Sequence, residues 1–206
     1  MYLTKLQLNN RSREVQRDLG NAHRLHQRIM QAFPDEERHQ ARADWSVLFR
    51  QEPDSEVILV QSAIAGDWSY LPDQYVAETV ESRSFDPNPQ RFSPGRGFRF
   101  RLRANPSRRD NQSRKLIGLY RREDQLEWLT RQGDRHGFAL EAVDAIPSPN
   151  VWGQKGKAMA PIRISTVLFQ GVLRVTEPEN LLQAMRTGIG RGRSYGCGLL
   201  SLAACG

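Results

Sequence analysis

The sequence is short of cysteine, lysine and histidine, and it has no long hydrophobic stretch. The two cysteines, Cys197 and Cys205, are too few for a disulfide framework, and without a second cluster they do not form a zinc finger. No apolar run approaches the ~18–20 residues that span a bilayer, and the opening segment lacks the hydrophobic region of a signal peptide. The composition therefore predicts a soluble, cytoplasmic protein with no membrane segment.

Most of the basic residues are arginine. Of the 30 basic residues 26 are arginine and 4 are lysine, against 23 acidic residues, and the formal net charge is +7. A guanidinium group is planar, grips phosphate with two parallel hydrogen bonds and stacks on bases. The charge therefore favours an anionic partner, and nucleic acid suits arginine best, although GC-rich codon usage raises the arginine content as well.

In the first half of the chain, the spacing of apolar residues predicts the order β-α-β-β-α-β. The predicted strands are residues 1–8, 45–50, 57–63 and 84–91, and the predicted helices are residues 13–33 and 71–82. The second half repeats this rhythm. Its predicted strands are residues 98–103, 138–146 and 199–204, its helices are residues 122–131 and 178–186, and a long hairpin covers residues 151–175.

The repeated order predicts an α+β protein with two tandem ferredoxin-like (RRM-like, βαββαβ) domains. Two prolines close together at 87 and 89 indicate a linker. The expected boundaries are residues 1–86 for the first domain, 87–95 for the linker and 96–206 for the second domain. The same topology underlies RNA-recognition modules that bind RNA on the sheet face.

Two histidines lie three residues apart on the first predicted helix. The spacing of His23 and His26 puts both imidazoles on one helix face. Because imidazole titrates near pH ~6.5, such a pair can hold an acid and a base together at neutral pH. A metal site needs a third ligand, and the nearest carboxylates, Asp18 and Asp35, are not on that face. Ordinary surface histidines, an acid–base pair and a metal site all remain open from the pair alone.

Five glycines in eleven residues distinguish the segment 188–198. Glycine allows close backbone approach, and successive N–H groups can surround a phosphate. The segment follows a helix and precedes a strand, so the dinucleotide-binding and P-loop interpretations fail on context. The alternative is a flexible connection. The candidate RNA-binding residues here are Gly188, Gly190, Arg191, Gly192, Arg193 and Ser194.

Two further basic segments are candidates for RNA binding. The alternation FRFRLR predicts a strand with one buried face and a row formed by Arg99, Arg101 and Arg103 on the other, which is either an RNA-facing row or a solvated sheet face. The predicted hairpin tip carries Lys155 and Lys157, and Arg163 lies nearby. Such a tip either enters a nucleic-acid groove or is an ordinary surface loop.

Several segments together resemble one known family. They are MYLTKL at 1–6, RLHQ at 24–27, LRANP at 102–106, STVLFQGVL at 165–173 and GIGRGRSYGCGLLSL at 188–202. With these segments the chain resembles the CasE family, the CRISPR-associated endoribonuclease subunit of the type I-E Cascade complex. The resemblance extends from the first strand to the last and therefore covers essentially the whole chain.

The resemblance implies two ferredoxin-like domains and a specific activity. Family members cut the repeat hairpins of CRISPR precursor RNA at the 3′ base of the stem, without a metal or other cofactor, and stay bound to the hairpin within the Cascade complex. The family's catalytic histidine belongs to a Tyr-x-x-His pattern on the first helix. His26 matches this histidine, and His23 occupies the tyrosine position. The glycine-rich loop corresponds to residues 188–198 and the basic hairpin to residues 155–163.

The expected reaction uses the 2′-hydroxyl of the RNA as nucleophile and yields a 2′,3′-cyclic phosphate and a 5′-hydroxyl. It requires in-line geometry, a base, an acid and positive charge at the phosphorane. His26 is expected to be the principal acid or base, His23 its partner, and Lys155 or Lys157 the stabilising charge. A non-catalytic scaffold that binds an RNA hairpin is the alternative, and a DNA-binding protein is a weaker one.

Overall fold

The computed structural model describes residues 1–34, 45–53, 55–156 and 158–205. Two of the positions discussed above, Asp35 and Lys157, lie outside the described residues. The chain divides into two compact units. Unit 1 comprises Met1–Asp86, Asn150–Ile164 and Ser194–Gly196, and unit 2 comprises Pro87–Pro149, Ser165–Arg193 and Cys197–Gly206. None of the helices among the described residues has the length and hydrophobicity needed to cross a lipid bilayer.

Unit 1 is built on a four-stranded antiparallel sheet. Its elements are β1 (Tyr2–Gln7), α1 (Arg13–Leu19), α2 (Ala22–Met30), β2 (Leu48–Gln51), β3 (Val57–Ser62) and β4 (Glu81–Ser84). The strand order is β2-β3-β1-β4, so β1 lies in the interior and pairs with β3 on one side and with β4 on the other. Because β1 alternates, its buried Leu6 and the Leu8 that directly follows the strand both face the core.

The core of unit 1 lies between one sheet face and the two helices. Leu25 and Ile29 of α2 and Val15 of α1 are buried in one cluster with Ile58 and Val60 of β3. Each of these side chains contributes ~1.5–3 kcal/mol of transfer free energy relative to an exposed position. The helix stripe at steps of three and four, which predicts amphipathic packing, is thereby confirmed.

The predicted helix over residues 13–33 is two helices in the structure. The break falls at Gly20 and Asn21, where Asn21 has extended dihedral angles (φ −145°, ψ 104°) and serves as the N-cap of α2. Asparagine side chains accept hydrogen bonds from the first turn of a helix, and glycine weakens a helix interior, so this pair favours a stop and a restart. Apolar periodicity alone does not register such a break.

The predicted helix over residues 71–82 is wrong. Gln74 has a positive φ of 61°, Val76 forms an isolated antiparallel bridge with Leu8, and Glu81–Ser84 is strand β4. The local reason is the composition, since Pro72 restricts the residue before it and Val76 is β-branched. The Ala77 N–H donates to the Gln7 carbonyl at 2.8 Å, which continues the strand pairing beyond the end of β1.

Unit 2 has a second four-stranded sheet, a short ribbon and two helices. Its elements are β5 (Gly97–Ala104), β6 (Ser107–Arg109), β7 (Leu116–Gly118), α3 (Arg122–His136), β8 (Phe138–Gly153), β9 (Ile162–Val175), α4 (Pro178–Thr187) and β10 (Leu200–Ala204), with a short 3₁₀ helix at Pro89–Phe92. The last residues of β8 and the first of β9 belong to unit 1, and a second 3₁₀ helix, Arg193–Tyr195, begins in unit 2 and ends in unit 1. The sheet order is β10-β5-β9-β8. The ribbon β6–β7 is an insertion that the sequence did not predict. In the core, the Trp128 ring of α3 stacks on Phe169 of β9 at a centroid distance of 6.1 Å.

Both sheets share one strand order. Numbered within each unit, it reads 4-1-3-2, the arrangement that the predicted β-α-β-β-α-β order produces in a ferredoxin-like fold. The predicted fold class is therefore confirmed, with the second helix of unit 1 replaced by irregular chain and the bridge at Val76.

The unit boundaries differ in detail from the predicted domains. Residues 87–95, predicted as a linker, belong to unit 2, where Phe92 is buried with its ring 5.2 Å from that of Phe98. Two later segments, Asn150–Ile164 and Ser194–Gly196, belong to unit 1 although residues 96–206 were predicted as one domain. Hydrophobic periodicity locates elements along the chain, but it does not show which unit a long hairpin joins.

Candidate active site and nucleic-acid interface

The two histidines of α2 lie side by side, as their spacing predicts. The ring centroids of His23 and His26 are 6.5 Å apart, and the planes are tilted by 35°. Both side chains are half-buried, which leaves part of each ring open to a substrate. The Nδ1 atom of His23 is buried without a hydrogen-bond partner among the described residues.

A buried carboxylate sets the rotation of α2 about its own axis. Asp18, which is 1% exposed, accepts hydrogen bonds from Arg28 Nε at 2.8 Å and from the Tyr75 hydroxyl at 3.0 Å. Arg24 Nε approaches the other carboxylate oxygen at 3.4 Å. Burial and the neighbouring Asp18 charge raise the pKa of Tyr75, so its hydroxyl stays protonated and keeps donating. Since Arg24 and Arg28 are on α2, these bonds determine which face of the helix presents the histidines.

The basic hairpin tip is described in part. Lys155 is exposed in the loop between β8 and β9, Arg163 is exposed near the start of β9, and Lys157 lies outside the described residues. The Gln154 side-chain amide donates to the carbonyls of Gly156 at 2.9 Å and Met159 at 3.1 Å. These bonds close the loop on itself and hold the backbone on both sides of its tip. The predicted hairpin is confirmed, and Lys155 is available to an anion.

Tyr195 belongs to the site, although sequence reasoning did not select it. Its ring stands edge-on to His26, with centroids 6.0 Å apart and planes at 72°. Such T-shaped pairs contribute ~0.5–1.5 kcal/mol beyond area burial. The residue lies within the glycine-rich segment, for which the sequence predicted RNA contacts through backbone N–H groups and arginines. The sequence contained one indication of this role. A tyrosine between glycines is unusual in a connection that is merely flexible, so it suggests that the ring has a specific contact.

The glycine-rich segment is an ordered connection whose backbone is partly committed within the protein. Gly188, Gly190, Gly192, Gly196 and Gly198 have φ between 77° and 92°, a region that other residues adopt at a cost. The N–H groups of residues 189, 197 and 198 donate to the carbonyls of residues 198, 192 and 103. These three groups are therefore not available to surround a phosphate, contrary to the simplest form of the prediction.

The side chains of this segment differ in exposure. Arg191 is exposed, while Arg193 and Ser194 are half-buried. Arg193 Nη1 donates to the Thr187 carbonyl at the end of α4 at 2.7 Å, which orients its guanidinium. Arg191 is consequently the side chain of this segment that is most open to an anionic ligand.

The predicted row of three exposed arginines on β5 is wrong at its third member. Arg99 and Arg101 are exposed, but Arg103 is 7% exposed. Its Nε donates to Thr166 Oγ1 at 3.2 Å and its Nη2 to the Pro149 carbonyl at 2.7 Å. Arg103 therefore links β5 to β8 and β9 inside unit 2. Strand alternation predicts which face a side chain occupies, but not how far along the strand that face is covered.

Other nucleophiles and metal ligands are poorly placed among the described residues. Within those ranges, no three His, Cys, Asp or Glu side chains are arranged to hold a metal ion, so His23 and His26 gain no third ligand there. Burial raises the pKa of Cys197 to about 11, which keeps the thiol protonated near neutral pH. The two neighbouring imidazoles of His23 and His26 are therefore the candidate acid–base pair among the described residues.

The sequence matches known proteins over nearly its full length. The family model described as CRISPR associated protein matches residues 1–204. The CRISPR-associated endoribonuclease Cse3 of Thermus thermophilus is 33% identical over 219 aligned residues, covering 98% of this chain and 100% of the relative. The Cascade subunit CasE of Escherichia coli is 32% identical over 220 aligned residues, covering 98% of this chain and 99% of the relative.

The fold also matches a solved structure. CRISPR endoribonuclease Cse3 bound to a 19-nucleotide RNA superimposes with a TM-score of 0.84 at 32% identity, covering 98% of this chain and 100% of the other. The match includes both four-stranded sheets, since it extends over almost every residue of either chain. The two-unit architecture is therefore shared with an RNA-bound nuclease.

Proposed function

Since the chain belongs to the CRISPR-associated CasE family, we propose that it cleaves CRISPR precursor RNA at the 3′ base of each repeat hairpin. It is an endoribonuclease, and it remains on the cleaved hairpin as a subunit of a Cascade complex with other Cascade proteins. The observation that carries the proposed chemistry is the half-buried pair of His23 and His26 on α2, with the Tyr195 ring against His26. A cytoplasmic location, where precursor transcripts are made, belongs to the same proposal.

The proposed mechanism is transesterification within the RNA. The 2′-oxygen attacks the adjacent phosphorus while its proton passes to a base, and the bond to the 5′-oxygen breaks as that oxygen receives a proton from an acid. The products are a 2′,3′-cyclic phosphate and a 5′-hydroxyl, and no water is consumed in this step. General acid–base catalysis contributes ~10²–10⁴-fold, so positioning of the RNA supplies much of the remaining acceleration.

Each catalytic role is assigned to a residue of unit 1. His26 is the principal acid or base, and His23, which replaces the tyrosine of the family pattern, is its partner. Lys155 or Lys157 neutralises charge that develops on the phosphorane. The RNA-binding surface includes the exposed Arg99 and Arg101 of β5, with Arg191 and Arg163 as further contacts to phosphate.

Cleavage of the host's own repeat RNA in EDTA is the direct test of the function. We expect a single cut at the 3′ base of the stem, with an upstream product that ends in a cyclic phosphate and a downstream product that begins with a 5′-hydroxyl. Mass spectrometry of both products measures this. Activity lost in EDTA and restored by a divalent ion would contradict the metal-free mechanism. Tight binding of the hairpin without any cut would favour the non-catalytic scaffold instead.

Replacement of Tyr195 separates its ring from its hydroxyl. The edge-on contact with His26 restricts the imidazole, so Tyr195→Ala is expected to lower kcat about tenfold, in line with the ~0.5–1.5 kcal/mol of a T-shaped pair. Tyr195→Phe retains the ring and is expected to keep most of the activity. Single-turnover cleavage of the repeat hairpin measures both variants. A Phe variant as impaired as the Ala variant would assign the effect to the hydroxyl and not to ring packing.

A further inference from the structure

Asn21 uses every polar group it has, and one side of its side chain faces the basic loop. Its N–H donates to the Asp18 carbonyl at 3.2 Å, and its own carbonyl accepts from Leu25 N–H at 3.1 Å. Its Oδ1 accepts from His23 N–H at 3.1 Å, which is an ordinary N-cap bond. The same Oδ1 also accepts from Gln154 N–H at 3.0 Å, and Nδ2 donates to the Gln154 carbonyl at 3.2 Å.

The side-chain amide of Asn21 therefore pairs with the backbone of Gln154 in both directions, over a separation of 133 residues in the chain. The N-cap role alone does not require this. Serine and aspartate cap helices about as well as asparagine does. Aspartate has no donor for the Gln154 carbonyl, and a serine hydroxyl carries its one donor and its acceptor lone pairs on a single atom, so neither reproduces the two-atom pairing of the amide. The contact thus uses the property that distinguishes asparagine from other good capping residues.

The neighbouring residue of the hairpin is a glycine, and a side chain at this position would crowd the contact. A Cβ atom on Gly153 would lie 3.0 Å from Asn21 Oδ1 and 3.1 Å from the backbone nitrogens of Ala22 and His23. The end of β8 thus packs directly on the first turn of α2. A methyl group at this position would require the hairpin and the first turn of α2 to separate by a few tenths of an ångström.

The position of Gln154 constrains the position of Lys155. The two residues are adjacent, and the Gln154 side chain holds the carbonyls of Gly156 and Met159 on the far side of the tip. We call residues 154–161 the Lys155 loop. Since its backbone is closed through Gln154, the Asn21–Gln154 contact fixes where the whole loop begins relative to the N-terminus of α2.

We propose that Asn21 is a positioning residue that joins the Lys155 loop to the histidine helix, so that the stabilising cation and the acid–base pair act on one phosphate. The inference rests on the proposed function, because it assigns Asn21 an effect on catalysis through the loop. Reacting groups have to be held within fractions of an ångström, and a side chain at the end of an untethered loop does not meet that requirement.

Asn21→Ser tests the contact while it keeps a capping residue on α2. We expect kcat for hairpin cleavage to fall about tenfold, the effect of losing one or two net hydrogen bonds, with KM changed less than about twofold. Asn88→Ser is the matched control, because Asn88 caps the 3₁₀ helix at Pro89–Phe92 through a bond to Gln90 N–H at 2.9 Å and has no assigned role in the site. The control is expected to cleave as the parent does.

Amide hydrogen exchange provides a readout that does not depend on cleavage. In Asn21→Ser, exchange at Gln154 is expected to accelerate by about an order of magnitude, because the Asn21 Oδ1 acceptor is replaced by a hydroxyl oxygen one bond nearer the backbone of α2. Exchange at Leu25, which donates to the Asn21 carbonyl, is expected to stay unchanged if α2 is intact. Gly153→Ala disturbs the same contact from the hairpin side. It is expected to lower kcat and to accelerate exchange at Gln154.

The double variant Lys155→Ala/Lys157→Ala shows whether Asn21 affects cleavage through the lysines of the loop. If Asn21 acts through the loop, Asn21→Ser adds little further loss of kcat there. A full additional tenfold loss in that background, or unchanged exchange at Gln154, would overturn the proposal. A parent protein that binds the hairpin and does not cut it would contradict the proposed function, and the exchange arm would then support or overturn the Asn21–Gln154 contact by itself.

Discussion

Replacing His26 with alanine is expected to abolish cleavage of the repeat hairpin and to leave its binding nearly intact. In the proposed mechanism the His26 imidazole is the principal acid or base, and the rings of His23 and Tyr195 lie 6.5 Å and 6.0 Å from it. Loss of a general acid or base lowers the rate ~10²–10⁴-fold. Binding is proposed to depend on exposed arginines outside α2, such as Arg99 and Arg101, and is therefore expected to change less than about threefold. Single-turnover cleavage and a filter-binding titration at one fixed salt concentration measure the two effects.

His136→Ala is the matched control for this substitution. His136 is the last residue of α3 in unit 2, and burial, with the charges of Arg135 and Arg193, lowers its pKa. The substitution removes a histidine that is half-buried like His26 but lies on a different helix. Cleavage is therefore expected to remain within about threefold of the parent. Robust cutting by His26→Ala would contradict the assignment of the acid–base centre. Loss of binding in parallel with cutting would show that the helix has a recognition role instead.

A hairpin that carries 2′-deoxyribose only at the cut site is expected to bind with parental affinity and not to be cut at all. The nucleophile in the proposed mechanism is the 2′-hydroxyl of the RNA, and its removal leaves no atom to attack the phosphorus. Binding survives because one hydroxyl is absent while every phosphate contact remains. Product formation over a time at least a hundred times longer than the parent half-life measures the residual rate, with one 2′-deoxyribose placed elsewhere in the stem as control.

The outcome distinguishes two kinds of nuclease. A nuclease that activates water would cut the deoxy substrate and leave a linear phosphate end, because the attacking oxygen then comes from solvent. Cleavage of the deoxy substrate would therefore contradict attack by the 2′-hydroxyl. Competition between RNA and DNA hairpins of one sequence adds a test of the partner, since stronger binding of the DNA would favour the DNA-binding alternative.

Local patterns predicted the parts of the fold and site that depend on neighbouring residues. The strict alternation of β5 predicts its buried Phe98 and Phe100 and its exposed Arg99 and Arg101. The three-residue spacing predicts that His23 and His26 share a helix face, since helix geometry alone determines it. The element order predicts the fold class because few topologies accommodate β-α-β-β-α-β.

The predictions that failed depend on packing. Residues 71–82 have helical periodicity, but pairing with the end of β1 outweighs that propensity, as the Leu8–Val76 bridge shows. Arg103 continues the alternation and is nevertheless buried, because Thr166 and the Pro149 carbonyl satisfy its guanidinium. Neither result follows from a window of adjacent residues, since the partners are between 46 and 68 positions away in the chain.

By itself the amino-acid sequence determined the two-domain fold class, the anionic partner and the histidine pair, because composition and short-range spacing carry that information. The tertiary structure was needed to bring Tyr195 against His26 and the Gln154 backbone against Asn21. These contacts join residues that are more than 130 positions apart. They depend on how the chain returns to unit 1 after most of unit 2 has been built, and no local periodicity encodes that return.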